Sequence, residues 1–210
     1  MIIEHFPVGP LGCNCVIVGD EETKEALVVD PGGEATKIIR RLKHHGLRCT
    51  AILHTHTHFD HVGATKELQE ATNATTALHE DDLFLYEGLQ MQLDTFGVPF
   101  RAPQTADIDR FLNDEETVHA GQIEAAVLHT PGHTPGSLCF HFGKVLIAGD
   151  TLFRGSVGRT DLWRGDSEQI LKSIRRRILT LEDDTEIITG HGLPTTVGDE
   201  RARNPFLRGL

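Results

Sequence analysis

A dense run of potential metal ligands follows directly after a short apolar segment, at residues 54–61. Its sequence is His-Thr-His-Thr-His-Phe-Asp-His. In an extended segment His56 and His58 point to the same side, while Asp60 and His61 can turn towards a second ion. Imidazole nitrogens and carboxylate oxygens suit zinc and its transition-metal neighbours, and ligand sets without thiolate leave coordination positions open to water. The run therefore predicts one loop that contributes to two metal sites.

The ligand motif could begin at either of two histidines in this run, because His54 and His56 are two residues apart, as His56 and His58 are. Only the frame that begins at His56 has an acid, Asp60, two residues after its second histidine. We therefore predict that His54 supports the site from the end of the preceding strand. The alternative for the whole run is a solvated or pH-sensitive surface cluster of histidines, and the spacing disfavours it.

Residues 55–61 resemble the signature of the metallo-β-lactamase superfamily, Thr-His-x-His-x-Asp-His. Three later segments are similar to further motifs of that superfamily and occur in the same order, at residues 131–137, 148–153 and 190–192. The resemblance implies an α/β fold of the four-layer αββα type, in which two mixed sheets are covered by helices. It also implies a single domain over residues 1–210.

The same resemblance implies a ligand set for two divalent transition-metal ions, zinc first, with iron or manganese as alternatives. The first ion would be bound by His56, His58 and His133 and the second by Asp60, His61 and His191, with Asp150 bridging them. A water between two such ions loses a proton near neutral pH and becomes a nucleophile. Asp60 is the predicted catalytic residue, because it can orient this hydroxide or take up its proton.

Two segments, at residues 149–161 and 198–207, resemble the glyoxalase II branch, and in particular its short bacterial members without a C-terminal helical extension. This branch comprises hydroxyacylglutathione hydrolases, so the resemblance implies hydrolysis of a thioester such as S-lactoylglutathione. Longer members contact glutathione through a lysine and a tyrosine, where this chain has Arg159-Thr160-Asp161. Arg159, and also Arg154, are predicted to contact a substrate carboxylate.

Two other functions stay open. Persulfide dioxygenases resemble this branch, share the Gly-Arg-Thr-Asp loop found at residues 158–161, and use one iron ion. His58 and the intact His191-Gly192 ending favour two metals over one. A non-catalytic metal-binding domain is the third candidate, and it explains none of the motif spacing.

Composition sets limits on compartment and partners. The chain has 210 residues, of which 39% are hydrophobic, enough for a buried core in one domain. Its net charge of −11 disfavours nucleic-acid binding. The four cysteines are too scattered for a disulfide framework, and Cys13 and Cys15 are predicted core residues. The sequence has neither an apolar run of about 18 residues nor a signal-like start. We therefore expect a soluble, cytoplasmic enzyme that binds neither nucleic acid nor a membrane. We also expect a monomer or small homo-oligomer that acts on a small-molecule thioester.

Apolar periodicity predicts where the strands and helices lie. A first group of strands is predicted at residues 2–6, 13–18, 26–29, 49–53 and 75–78, a second sheet at 108–112, 117–120, 123–129, 137–142 and 145–148, and a last strand at 185–189. Helices are predicted from residue 35 to a stop at Gly46, then at 62–71, 81–96 and 166–179. The loop at residues 97–105 is expected to border the substrate cleft. Asp30 is assigned to structural support, and His79 to a strand end rather than to a metal.

Overall fold

The computed structural model describes residues 1–99 and 101–209, and most of its strands form two six-stranded mixed sheets. The first sheet contains, in spatial order, β1 (Ile2–Val8), β2 (Cys13–Gly19), β3 (Glu25–Val29), β4 (Arg48–Leu53), β5 (Thr75–Leu78) and β6 (Arg110–Phe111). Its first three strands are antiparallel, and the pairs from β3 to β6 are parallel.

The second sheet has both chain directions as well. Its strands are β7 (Thr117–Ala120), β8 (Ile123–His129), β9 (Leu138–Phe142), β10 (Val145–Gly149), β13 (Glu186–Thr189) and β14 (Thr195–Thr196). Their spatial order is β14-β13-β10-β9-β8-β7, and the β10–β13 pair is parallel while its other pairs are antiparallel. A separate ribbon is formed by β11 (Leu152–Phe153) and β12 (Ser156–Val157).

Helices cover the outer faces of both sheets. They are α1 (Ala35–His45), α2 (Phe59–Val62), α3 (Thr65–Thr72), α4 (Leu83–Glu87), α5 (Leu89–Thr95), α6 (Ser167–Ser173) and α7 (Val197–Arg203). Gly46 ends α1 as predicted, because its left-handed backbone (φ 65°) lets its N–H reach the carbonyls of Leu42 and Lys43. Asp166 caps α6 by accepting hydrogen bonds from two backbone N–H groups of the first turn. Within residues 1–99 and 101–209, every helix is too short or too polar to cross a membrane.

Side chains alternate along each strand, so one strand contributes to both faces of its sheet. Both faces are covered by other parts of the chain. Val16 and Val18 of β2 lie in a central cluster with Phe140 of the second sheet, whereas Ile17 between them packs with Ile38 of α1. A third cluster joins the outer face of the second sheet to the α6 segment through Cys139, Leu146, Ile170 and Ile174. The order helix, sheet, sheet, helix confirms the predicted four-layer αββα architecture.

One predicted strand belongs to the other sheet. The segment at residues 108–112 was predicted for the second sheet, but only Arg110–Phe111 is a strand, and it pairs in parallel with β5 of the first sheet. The chain stays beside β5 because Asp109 N–H donates to Thr76 O and Leu112 N–H donates to Leu78 O. An apolar pattern indicates a strand without indicating its partner, so this prediction was wrong.

Two predicted helices are interrupted, and a third is continuous but changes its hydrogen-bond pattern. The segment at 62–71 is divided into α2 and α3 at Gly63, where a Cβ atom would lie 2.4 Å from the carbonyl oxygen of Gly32. The segment at 81–96 is broken at Gly88, and that at 166–179 ends in a π-helical turn at Ile174–Ile178. The described part of the 97–105 loop has neither helix nor strand, as predicted; Phe100 lies outside the described residues.

Candidate metal centre

The seven candidate ligands meet at one end of the sandwich, where loops leave four strands. His56, His58, Asp60 and His61 follow β4, His133 follows β8, Asp150 follows β10, and His191 follows β13. Asn14 holds the last of these loops in place by donating hydrogen bonds from Nδ2 to Thr189 O (2.8 Å) and Gly192 O (3.0 Å). The structure therefore brings together all seven residues that the motifs select.

Three of the histidines form a first triad. Nε2 of His133 lies 3.2 Å from Nε2 of His56 and 3.0 Å from Nδ1 of His58, and all three side chains are buried. Two nitrogens bound to one tetrahedral ion, at about 2.0–2.1 Å each, are about 3.3 Å apart. The triad therefore fits a transition-metal ion without rearrangement.

A second triad is formed by Asp60, His61 and His191. Nε2 of His191 lies 3.1 Å from Oδ2 of Asp60 and 3.2 Å from Nε2 of His61. The side chain of His61 is fully buried, while His191 is 28% exposed. This second set therefore also fits one ion, on the more open side of the centre.

Asp150 lies between the two triads. Its Oδ2 atom is 3.6 Å from Nε2 of His133, and its Oδ1 atom is 3.4 Å from Nε2 of His61. The buried Oδ1 atom has no hydrogen-bond partner among the described residues, which is costly for a carboxylate unless a cation binds it. The two oxygens can thus bind one ion each. Gly190 permits this packing, since a Cβ atom there would lie 2.0 Å from Oδ1.

Backbone carbonyl oxygens orient two of the imidazoles through the ring nitrogen that faces away from the other ligands. Nδ1 of His133 donates to the carbonyl of Arg159 (2.7 Å), and Nδ1 of His191 donates to the carbonyl of Leu11 (3.2 Å). Both contacts place the lone pair on Nε2, the atom that faces the other ligands.

Asp30 has the supporting role that the sequence predicts. Its carboxylate accepts hydrogen bonds from Thr55 N–H (2.8 Å) and Thr55 Oγ1 (2.6 Å), and its Oδ2 is 3.0 Å from Nδ1 of His61. His54 is buried behind the ligands, with its Nε2 atom 3.2 Å from Thr65 Oγ1. Asp30 therefore supports the loop from the end of β3, and His54 from the end of β4.

Burial lowers the pKa of each histidine in the first triad. The pKa values of His56 and His58 lie well below the usual value, and that of His133 is also lowered, chiefly by loss of hydration. These imidazoles are therefore neutral at pH 7, which is the form that binds a metal ion.

In the second triad, neighbouring charged groups raise the pKa values of the two histidines. Burial disfavours the charged form of His61, but Cys13, then Asp150 and Asp60, and the hydrogen bond to Asp30 raise its pKa well above the usual value. Burial also opposes protonation of His191, yet its hydrogen bond to Asp60 and the charge of Asp150 raise its pKa. Burial alone would raise the pKa of Asp60, but His61 and His191 hold it below its usual range.

Asp82 is a supporting residue that the sequence did not reveal. It is fully buried, and its carboxylate accepts hydrogen bonds from Gly136 N–H (2.7 Å), Thr134 Oγ1 (2.8 Å) and Thr57 N–H (3.2 Å). Thr57 separates two ligands of the first triad, and Thr134 follows the third. No local pattern indicates this role, because Asp82 ends an ordinary acidic run, Glu80-Asp81-Asp82.

A cavity of about 380 Å³ opens over the centre. It is lined by five candidate ligands and by Leu11, Phe59, Phe96, Val98, Arg159 and Leu162. Val98 confirms that the 97–105 loop borders the cleft. Arg159 reaches the cavity, whereas Arg154 is exposed in the turn between β11 and β12 and is not among the lining residues. Substrate contact by either arginine stays a prediction.

A smaller cluster forms away from the centre, where His79, Asp81 and His129 bring potential ligand atoms within 4.8 Å of one another. The sequence does not predict this approach. The His79 and His129 rings are stacked, with centroids 4.1 Å apart and planes 11° apart. In-plane lone pairs of parallel rings do not converge, and Nε2 of His129 already lies 2.8 Å from Pro135 O. We therefore interpret the arrangement as a stacked pair, and the assignment of His79 to a strand end stays a prediction.

Similar proteins carry the same framework. Residues 8–191 match the family model of the metallo-beta-lactamase superfamily. Hydroxyacylglutathione hydrolase GloC of Haemophilus influenzae is 43% identical over 99% of this chain and 98% of its own length. The BLEG-1 B3 metallo-beta-lactamase has 38% identity and a TM-score of 0.91, covering 99% of this chain and 100% of its own.

A second structure is TTHA1623 in a di-iron-bound form, which has 39% identity and a TM-score of 0.85, covering 96% of this chain and 98% of its own. The range matched by the family model, residues 8–191, contains both triads. The chain belongs to the metallo-β-lactamase superfamily.

Proposed function

We propose that this protein is a metal-dependent hydrolase that cleaves a thioester. One observation carries the proposal: the two oxygens of Asp150 face two separate ligand triads at the floor of a single cavity. We assign the first ion to His56, His58 and His133 and the second to Asp60, His61 and His191, with zinc as the expected metal. When bound, such ions polarise a carbonyl oxygen and lower the pKa of a water molecule.

Among the described residues that line the cavity, none is serine, threonine or cysteine. Cys13 lies behind the second triad, with its Sγ atom 3.4 Å from Nδ1 of His61. Burial raises the pKa of Cys13 to about 12, so its thiol stays protonated and unreactive at neutral pH. Water is therefore the nucleophile that fits this site.

Asp60 has the position and the charge of a proton acceptor. Its carboxylate lines the cavity, and its low pKa keeps it ionised at neutral pH. It can orient a water molecule or accept its proton. A thioester suits this site because its thiolate is a good leaving group that needs no strong proton donor.

The name of the GloC relative supports a glutathione thioester as the first substrate to test. We propose S-lactoylglutathione for that purpose, with Arg159, and less directly Arg154, as contacts for its carboxylates. The di-iron form of TTHA1623 makes iron an alternative to zinc, and manganese is the other. We further propose that the protein acts in the cytoplasm on a small molecule, as a monomer or a small homo-oligomer.

The proposal is tested on protein loaded separately with zinc, iron and manganese. S-lactoylglutathione, simple acyl thioesters and a chromogenic β-lactam are incubated with each preparation, and released thiol or opened lactam is measured. We expect metal-dependent release of thiol. Cleavage of the β-lactam alone would contradict the proposal.

A mononuclear iron persulfide dioxygenase is the second candidate, and the Gly158–Asp161 loop is the observation that favours it. The second triad is the observation against it, since a one-iron site has no use for a further complete ligand set. Oxygen uptake with glutathione persulfide, measured on the iron-loaded protein, distinguishes the two. Uptake without any thioester cleavage would favour the dioxygenase.

A further inference from the structure

The walls of the cavity differ chemically from its floor. Every acidic residue and every histidine that lines it is a candidate metal ligand, and these groups form the floor. The other lining residues are five apolar side chains and one arginine: Leu11, Phe59, Phe96, Val98, Leu162 and Arg159. Once metals are bound, a substrate meets an almost entirely apolar wall beside the reacting carbonyl.

The single cationic side chain on this wall is already engaged. Nε and Nη2 of Arg159 donate to the two carboxylate oxygens of Asp161, at 2.8 and 2.9 Å, and the guanidinium lies 5.9 Å from the centroid of the Phe96 ring. A glutathione thioester carries two carboxylates, so binding it here requires displacement of Asp161, and the described lining residues offer no second cation for the other carboxylate. The net charge of −11 adds long-range repulsion.

The apolar wall is also exposed to water at the mouth of the cavity. Leu11 is 57% exposed and Phe96 is 42% exposed. The Phe96 ring packs at the edge of a small aromatic group, 5.9 Å from Phe59 and 6.0 Å from Trp163 between ring centroids. Large apolar side chains that remain exposed beside a reactive centre gain stability when an apolar ligand covers them.

We propose that the substrate is a thioester whose acyl arm is apolar and uncharged, and that this arm lies against Phe96, Leu11 and Leu162. The inference rests on the proposed thioester hydrolysis and narrows its substrate class. Water adds to the carbonyl carbon, the carbon–sulfur bond breaks, and the products are a carboxylic acid and a thiol. Phe96 is the specificity residue, because its aromatic ring lines the cavity and is partly exposed at its mouth.

The test uses N-acetylcysteamine thioesters with acetyl, butyryl and hexanoyl groups on the zinc-loaded protein. Each buried methylene is expected to raise kcat/KM about threefold to fourfold. Phe96→Ala is expected to abolish most of this dependence on chain length. Phe111→Ala is the matched control, because Phe111 has similar exposure (39%) but lies on the edge strand β6 and does not line the cavity.

Two results would overturn the inference: kcat/KM independent of acyl length, or an equal dependence on acyl length in Phe96→Ala. Each of them leaves thioester hydrolysis itself intact.

Failure of the proposed function is detected separately by binding. Trp163 is the single tryptophan of the chain, and its ring lies 5.8 Å from His58 and 6.0 Å from Phe96. A ketone analogue with a methylene in place of the thioester sulfur cannot be hydrolysed at that bond, and its binding is measured by Trp163 fluorescence. Tight, Phe96-dependent binding of the hexanoyl analogue without cleavage of any thioester would support the apolar site and reject the hydrolase. Absence of a Phe96-dependent signal would reject the apolar site.

Discussion

The carboxylate of Asp82 accepts a hydrogen bond of 2.8 Å from the hydroxyl of Thr134, and so joins the two halves of the chain behind the first triad. The same carboxylate accepts from Thr57 N–H, between two ligands, and from Gly136 N–H. One buried acid therefore orients both loops that supply the histidines of the first triad. Its removal is expected to affect this triad more than the second.

Asp82→Asn tests this role, because the amide has the same size, but its NH2 group would face N–H or O–H donors where the carboxylate has an accepting oxygen. We expect metal affinity at the first triad to fall about 10- to 100-fold, as for other groups that orient ligands. Loss of satisfied buried hydrogen bonds is also expected to lower the free energy of unfolding by about 1–3 kcal/mol. Competition with a chromophoric chelator measures the affinity, and Asp81→Asn is the control, since Asp81 is 60% exposed. Equal weakening of both sites would contradict a selective role.

Asp150→Ala is expected to damage both metal sites, because the two carboxylate oxygens face different triads. The protein should bind fewer than two ions, and its activity should not recover at high metal concentration. Elemental analysis after gel filtration measures the bound metal. Unchanged metal content and activity after full loading would refute a bridging role.

Asp60→Asn removes a charge beside His191 and keeps the shape of the side chain. We expect kcat to fall about 10²- to 10⁴-fold, the usual contribution of a positioned proton acceptor, with a smaller change in KM. Steady-state kinetics on metal-saturated protein measure both constants. If kcat were unchanged at full occupancy, Asp60 would be a ligand without a catalytic role.

The two triads are expected to respond differently to pH. Raised pKa values mean that His61 and His191 bind a proton more strongly than an ordinary imidazole does, so protons compete with an ion there and affinity at the second triad falls as pH is lowered. Lowered pKa values mean that His56, His58 and His133 are already neutral, so the first triad is less sensitive near pH 7.

Calorimetric titrations in buffers of different ionisation enthalpy measure the protons released per ion. We expect release on filling the second site and little release on filling the first. His191→Ala, which removes one ligand of the second triad, should abolish most of the release. Equal proton release at both sites would contradict the assignment.

The sequence by itself determined the layered architecture and the candidate ligands. The layered architecture followed from the resemblance of the motifs to the metallo-β-lactamase superfamily, and the continuous apolar runs of β2 and β3 agree with strands buried on both faces. The motif at residues 54–61, together with His133, Asp150 and His191, identifies the centre because each ligand stands in a short segment at or just beyond a strand end. Such information is local, since it depends on side-chain period and turn chemistry within a few residues.

Only the tertiary structure decided which residues support the centre and what faces the substrate. Asp82 and Thr134 are 52 residues apart, and His79 and His129 are 50 apart, so neither approach leaves a pattern in a short window. The partner of β6 depended likewise on hydrogen bonds between distant segments. The engagement of Arg159 with Asp161 and the exposure of Phe96 depend on how two loops fold over the cavity. These contacts arise from packing between segments, which the sequence specifies only through the complete fold.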